Sequence, residues 1–162
     1  HDSSSVTYPV FTAIAAPEVQ NKLNGDFAII AGPYLQNLAT GGCELDYTLT
    51  FVSEKFISMV FFGVLDEGEK EIFAKIPLNI DVQTGAQLAL GDVLNLRDAD
   101  LLPVLRLLTK KDKVAFSKGI TESWYYNGTN FVFCQRSETG EWLEATVAAS
   151  DLKKFLLKPE LF

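Results

Sequence analysis

The residues able to do chemistry in this 162-residue chain are few in kind, and imidazole is the scarcest, occurring only at His1. A single histidine at a terminus leaves no means of composing a Ser-His-Asp or Cys-His unit, and none of building a His-based metal site. The two cysteines, Cys43 and Cys134, lie far apart and form no Cys-x-x-Cys pair, so zinc binding and thioredoxin-like redox chemistry lose their signature. Two readings remain for them: a disulfide with each other in an oxidising compartment, or two buried thiols used as small apolar fillers. Carboxylates are plentiful, and 21 acidic residues supply some pair at a glycosidase separation whatever the fold, which makes a hydrolase the weakest reading. Asp98-x-Asp100 and the acidic stretch 66–71 lack a glycine-punctuated ligand loop and read as solvated surface. No metal or cofactor is expected, and the chain is not expected to be an enzyme. Aromatic rings are the better lead. Trp124, Tyr125, Tyr126 and Trp142 cluster late in the chain, and rings of this kind stack on sugars and peptides, although alternation along a strand sends about half of them to a core.

The formal charge of -7, from 14 basic and 21 acidic residues, repels phosphate backbones, so nucleic acid is not an expected partner. With 48% apolar residues the chain can fill a sizeable core, and its longest apolar runs fall short of the ~20 residues that span a bilayer. The opening His1-Asp2-Ser3-Ser4-Ser5 is not a signal peptide, and Met59 is the sole methionine, so removal of an upstream segment is expected.

The elements that must position these groups follow from periodicity. From Pro17 the apolar residues Val19, Leu23, Phe27, Ile30, Tyr34 and Leu38 keep to one face, predicting a long helix, kinked or broken at Gly32-Pro33 and ended by Gly41-Gly42. Leu45, Tyr47, Leu49 and Phe51 then alternate with polar residues as a strand, Phe56 to Val64 reads as a more fully buried strand, and Glu71 to Asp81 returns as a third. Asp66 to Lys70 forms the hairpin tip between the last two. Asp81 to Gly85 is a tight turn, and Gln87 to Leu90 a short strand. Asp98 or Asp100 can cap a second helix whose buried face is Leu101, Leu102, Val104, Leu105 and Leu108, with Lys110, Lys111 and Lys113 at its negative end. Ser123–Tyr126 and Asn130–Cys134 flank an Asn127-Gly128-Thr129 hairpin turn, where the glycosylation sequon is read as turn chemistry. Trp142 to Ala148 is a further strand, and Ser150 caps a last helix, Asp151 to Leu157, stopped by Pro159. The predicted fold is α+β, an antiparallel β-meander covered by a long N-terminal helix, with a second small α+β lobe. It forms a single domain over 1–162, divisible into lobes 1–95 and 96–162.

The stretch from Asn79 to Leu94 carries an Asn-x-Asp-x-x-Thr-Gly turn followed by Leu-x-Leu-x-Asp and an apolar pair. It resembles the RsiV-like extracytoplasmic domain family, which includes the sensor region of the lysozyme-responsive anti-sigma-V factor and a non-catalytic region of some peptidoglycan deacetylases. Tyr8-Pro9-Val10, Val19 to Asn24, Tyr125 to Gly128 with Phe131 to Phe133, and Leu152 to Pro159 agree with that family in order and spacing. Family members often carry a Gly-Gly-Ala-His-like segment where this chain has Asp66 to Lys70. The resemblance implies an extracytoplasmic, non-catalytic binding or sensing domain of a bacterial envelope protein. Its expected ligand is a cell-wall glycan or a cationic protein such as lysozyme, and its alternative role is that of a structural spacer or oligomerisation module. Asn79, Asp81, Thr84 and Gly85 are read as turn formers, since Asp and Thr side chains bond neighbouring backbone.

Overall fold

The computed structural model describes residues 4–14, 16–39, 42–66, 71–110, 112, 116 and 119–162. The hairpin tip at 67–70, together with Gly41, Lys111 and Lys113, lies outside them.

The long apolar stripe folds as α1 (Pro17–Asn37), with Val19, Leu23, Phe27, Ala31 and Tyr34 buried. The helix runs on through Pro33 without the expected break. Proline lacks only its own N–H, and here that loss falls on the Ile29 carbonyl, next to a side chain exposed to water. Leu38, expected on the buried stripe, is the exposed cap residue.

The meander forms as read: β2 (Cys43–Val52), β3 (Phe56–Asp66) and β4 (Glu71–Asp81) pair antiparallel, with β1 (Ser5–Val6) on the outer edge of β2 and β5 (Ala86–Gln87) on that of β4. Side chains alternate faces, so Ile57, Met59, Phe61, Leu78 and Ile80 pack with α1 into one core. Gly63 lies on this face, where a Cβ would stand 2.0 Å from Tyr34 Oη, and no larger residue fits beneath the buried ring. One strand departs from its pattern. A bulge between Leu49 and Phe51 leaves Thr50 out of register, so Phe51 pairs with Ser58 and turns to the opposite face, and Leu49 is exposed rather than buried.

The second sheet, β6 (Trp124–Tyr126), β7 (Asn130–Arg136) and β8 (Trp142–Ala148), is antiparallel and joined at its first turn by Asn127, whose Oδ1 accepts from the Thr129 and Asn130 amides. Its inner rings meet Phe51 and Phe56 of the meander in a second core that also takes in Leu90, Val93, Leu101 and Leu105. The architecture is therefore mixed α+β, with a helix on one face of a five-stranded sheet and a second small sheet lobe on the other.

Three local expectations are corrected between these strands. Leu90 begins a one-turn helix, α2 (Leu90–Val93), rather than ending a strand, because the Asp92 carboxylate accepts the Ala89 amide at 2.8 Å and folds the chain there. Neither Asp98 nor Asp100 caps α3 (Leu101–Leu108) with its side chain; Asp98 Oδ1 takes the Asp100 amide in a turn before the helix, and Leu108 is exposed. The closing segment is a 3-10 helix, Ala149–Phe155, with no side-chain cap from Ser150, and Pro159 opens a further 3-10 turn. It is held by Leu156 bridging to Leu94.

Candidate functional site

The two sheets meet along a polar seam inside an apolar interface. Ser58 and Asn79, on the meander face opposite α1, are buried, and the Ser58 hydroxyl donates to Asn79 Oδ1 at 2.7 Å. Asn79 Nδ2 donates to the Trp124 carbonyl at 2.7 Å, the Tyr126 amide donates to Ser58 Oγ at 2.8 Å, and the Thr50 hydroxyl donates to the Tyr126 carbonyl at 2.7 Å. Asn79 thus fastens β6 to the meander instead of shaping the turn that follows it. The other motif residues do form that turn: Asp81 Oδ1 accepts from the Gln83 and Thr84 amides, Thr84 Oγ1 accepts from Ala86, and Gly85 adopts φ +66°.

The sequence reading grouped four rings, and the structure divides them. Trp124 and Tyr126 point inward, 2% and 4% exposed, stacked among Phe56, Phe131 and Phe162, so no ligand reaches them in the folded chain. Tyr125 lies on the outer side, as alternation along β6 requires, and the register through β7 puts Trp142 of β8 on that same side.

Where that outer side meets the meander, a groove of about 390 Å³ opens, with Trp142 as one wall and Phe62, Val64 and Phe73 as floor. Phe62 and Phe73 are 44% and 50% exposed. Register places Phe62 opposite Lys75 and Val64 opposite Phe73, so the two rings are diagonal neighbours on adjacent strands. Glu44 and Asp46 of β2 stand opposite Val64 and Phe62 and add a carboxylate border. A second depression of about 360 Å³ shares Glu44, Val64 and Phe73 and continues past Asp66 and Glu71. Phe62 escapes the sequence reading because it sits in a run apolar enough to read as a buried strand, and Phe73 because strand periodicity alone does not say which face of β4 stays open.

Beside the groove, Lys75 bridges the lobes. Its ammonium pairs with the Glu144 carboxylate on β8 and lies 5.5 Å from the Phe62 ring centre and 5.6 Å from that of Tyr125. Tyr125 Oη donates to Glu144 Oε1 at 2.9 Å. Burial, reinforced by this hydrogen bond and the Glu144 charge, raises the Tyr125 pKa. Burial likewise pushes the Cys134 thiol up to about 12, against the opposing pull of Lys75. A thiol so protonated is a poor nucleophile. Cys43 and Cys134 are both free and buried: Cys43 Sγ contacts the Tyr34 carbonyl at 3.2 Å in the helix-covered core, and Cys134 Sγ lies 3.9 Å from Glu144 in the other sheet. The disulfide reading is not realised here, since each thiol is packed with its own sheet. Trp142, one wall of the groove, keeps its Nε1 buried and without a hydrogen-bond partner. Among the described residues no three His, Cys, Asp or Glu side chains converge as metal ligands, and no helix is long and apolar enough to cross a membrane.

No protein-family model matches this chain, and no curated protein matches it. Solved structures do. A DUF3298 family protein from Pseudomonas aeruginosa PAO1 superposes with a TM-score of 0.61 at 11% identity, covering 90% of this chain and 83% of that one. A member of the same family from Bacteroides fragilis NCTC 9343 gives a TM-score of 0.54 at 14% identity, over 86% of this chain and 66% of that one. At these identities the likeness is one of fold. It defines an α+β domain of unknown function, and it fits a DUF3298 or RsiV-like domain.

Proposed function

We propose that this chain is a non-catalytic, extracytoplasmic binding or sensing domain of a bacterial cell-envelope protein, whose ligand is a cell-wall glycan or a cationic protein of the lysozyme type. The observation that carries the reading is the groove at the lobe junction, where Phe62 and Phe73 present rings to solvent beside the half-buried Trp142, on a surface otherwise rich in carboxylates. Soluble monomers hide most large rings, and a contiguous exposed set of them marks a contact surface. The RsiV-like motif at 79–94 supports the envelope setting, and the fold shared with DUF3298 proteins fits that resemblance. The groove is read as binding rather than catalytic because its lining, among the described residues, pairs the Glu44 and Asp46 carboxylates with no His or Cys, and its one cation, Lys75, is committed to Glu144.

Calorimetric titration with lysozyme and, separately, with soluble peptidoglycan fragments at two salt concentrations tests this. Saturable binding at micromolar or tighter affinity is expected for one of them, and a protein ligand should weaken with salt because the chain carries a charge of -7. Absence of heat with both would overturn the binding reading in favour of a spacer.

A further inference from the structure

Building on that reading, we propose that the groove is a subsite for a sugar bearing a free ammonium group, one residue of an amine-containing glycan. Three features converge on this ligand chemistry. The floor offers the faces of Phe62 and Phe73 at diagonal spacing, and a pyranose presents an apolar C–H face of matching size to such rings. The wall offers the half-buried Trp142 side chain, whose ring gives the sugar a third apolar contact. The border offers Glu44 and Asp46, while the cation lining the same groove, Lys75, is already engaged by Glu144. That border disfavours phosphorylated or carboxylated sugars and favours an ammonium.

An extended basic peptide shares the charge but fits the groove less well. The usual anchor for an extended peptide on a sheet is an unpaired strand edge, and β3 offers none, being flanked by β2 and β4. The edge nearest Phe73 is the outer margin of β4, which β5 pairs only at Ile80 and Asp81, so a peptide added there would run along the rim of the groove instead of over its rings. What the groove leaves open are side-chain groups, namely ring faces and carboxylate acceptors, and these are groups that read sugars.

The test uses the whole 162-residue chain. It is titrated by tryptophan fluorescence and two-dimensional NMR with a fully deacetylated β-1,4-glucosamine tetramer, with the N-acetylated tetramer, and with tetralysine. The deacetylated sugar should bind about tenfold tighter than the acetylated one, with shifts confined to Phe62, Phe73 and Trp142 and their neighbours. Glu44→Gln and Asp46→Asn, both at exposed positions, should each weaken it about threefold, and Phe73→Ala should abolish saturation. Equal binding of the acetylated sugar would overturn the charge argument. Tetralysine binding as tightly at the same residues would reassign the groove to a basic peptide, and no saturation by any probe would remove the subsite. Lysozyme or peptidoglycan binding that survives Phe73→Ala would leave the domain a binding module and refute the subsite alone.

Discussion

Replacing Asn79 with alanine should cost far more than a surface turn residue would. The amide accepts from Ser58 and donates to the Trp124 carbonyl, both at 2.7 Å and both buried. Alanine therefore orphans two groups, the Ser58 proton and the Trp124 oxygen. At about 1 to 3 kcal/mol for each buried group left unsatisfied, the loss is about 2 to 6 kcal/mol. Ser58→Ala orphans a different pair, the Tyr126 amide and Asn79 Oδ1, and should cost a similar amount. The double variant leaves only the Trp124 oxygen and the Tyr126 amide unpaired, so it should cost about as much as one single variant, a coupling of about 2 kcal/mol or more. Guanidinium unfolding followed in parallel by circular dichroism and by tryptophan fluorescence measures all three, and Trp124 sits in the seam being broken. Additivity within about 0.5 kcal/mol, or an Asn79→Ala cost under about 1 kcal/mol, would refute the claim that these side chains act as one fastening between the sheets.

Gly63→Ala should destabilise by about 3 kcal/mol in thermal or chemical unfolding, the upper range for overpacking. Tyr34→Phe should not rescue it, because the new Cβ would still lie 2.4 Å from the ring carbon Cζ. Gly85→Ala forces a side chain into φ +66° and to 3.1 Å from Val19, for an expected loss of about 1 to 2 kcal/mol. Stability should fall with alkaline pH: the Cys134 thiol moves from 9.0 when unfolded to about 12 when folded, so the native state holds the extra proton across that window. The resulting slope approaches about 1.4 kcal/mol per pH unit between the two values, Tyr125 adds to it at higher pH, and Cys134→Ala should flatten the lower part. Thiol reagents at neutral pH should find neither cysteine in the native chain and two after unfolding; a single reactive thiol on the native protein would contradict their burial.

The strands of both sheets were legible because their signals are local: alternation from Leu45 to Leu49, turn residues at 81–85, and a hairpin turn at 127–129 whose asparagine bonds its own neighbours. What local patterning cannot carry is the matching of one sheet to another. Ser58 sits in a run apolar enough to read as plain core, and Asn79 precedes a turn motif that accounts for its residue type by itself. Their roles exist only once β6 crosses the meander. The rings show the same limit. Alternation says that Trp124 and Tyr126 share a face and Tyr125 does not, but which face is inner depends on the second lobe's position. Phe62 and Phe73 follow a different rule again, since the second sheet covers the residues around Ser58 and Asn79 and stops short of them. The bulge at Thr50 moves Phe51 across the sheet, which a count of alternating residues has no means of showing.

The outer margin of β2 is ten residues long, and an uncovered strand margin is a template on which another chain can polymerise. Each part of it is blocked by a different device. Ser5 and Val6 pair with Glu44 and Leu45, and the Thr7 amide takes the Leu45 carbonyl. The next outward donor, the Tyr47 amide, is held by the Asp46 carboxylate at 2.8 Å. Beyond it the bulge at Thr50 twists the strand out of the geometry an incoming strand would need. A strand that carries Leu45, Leu49, Phe51 and Val52 thereby offers an incoming chain little regular backbone on which to pair.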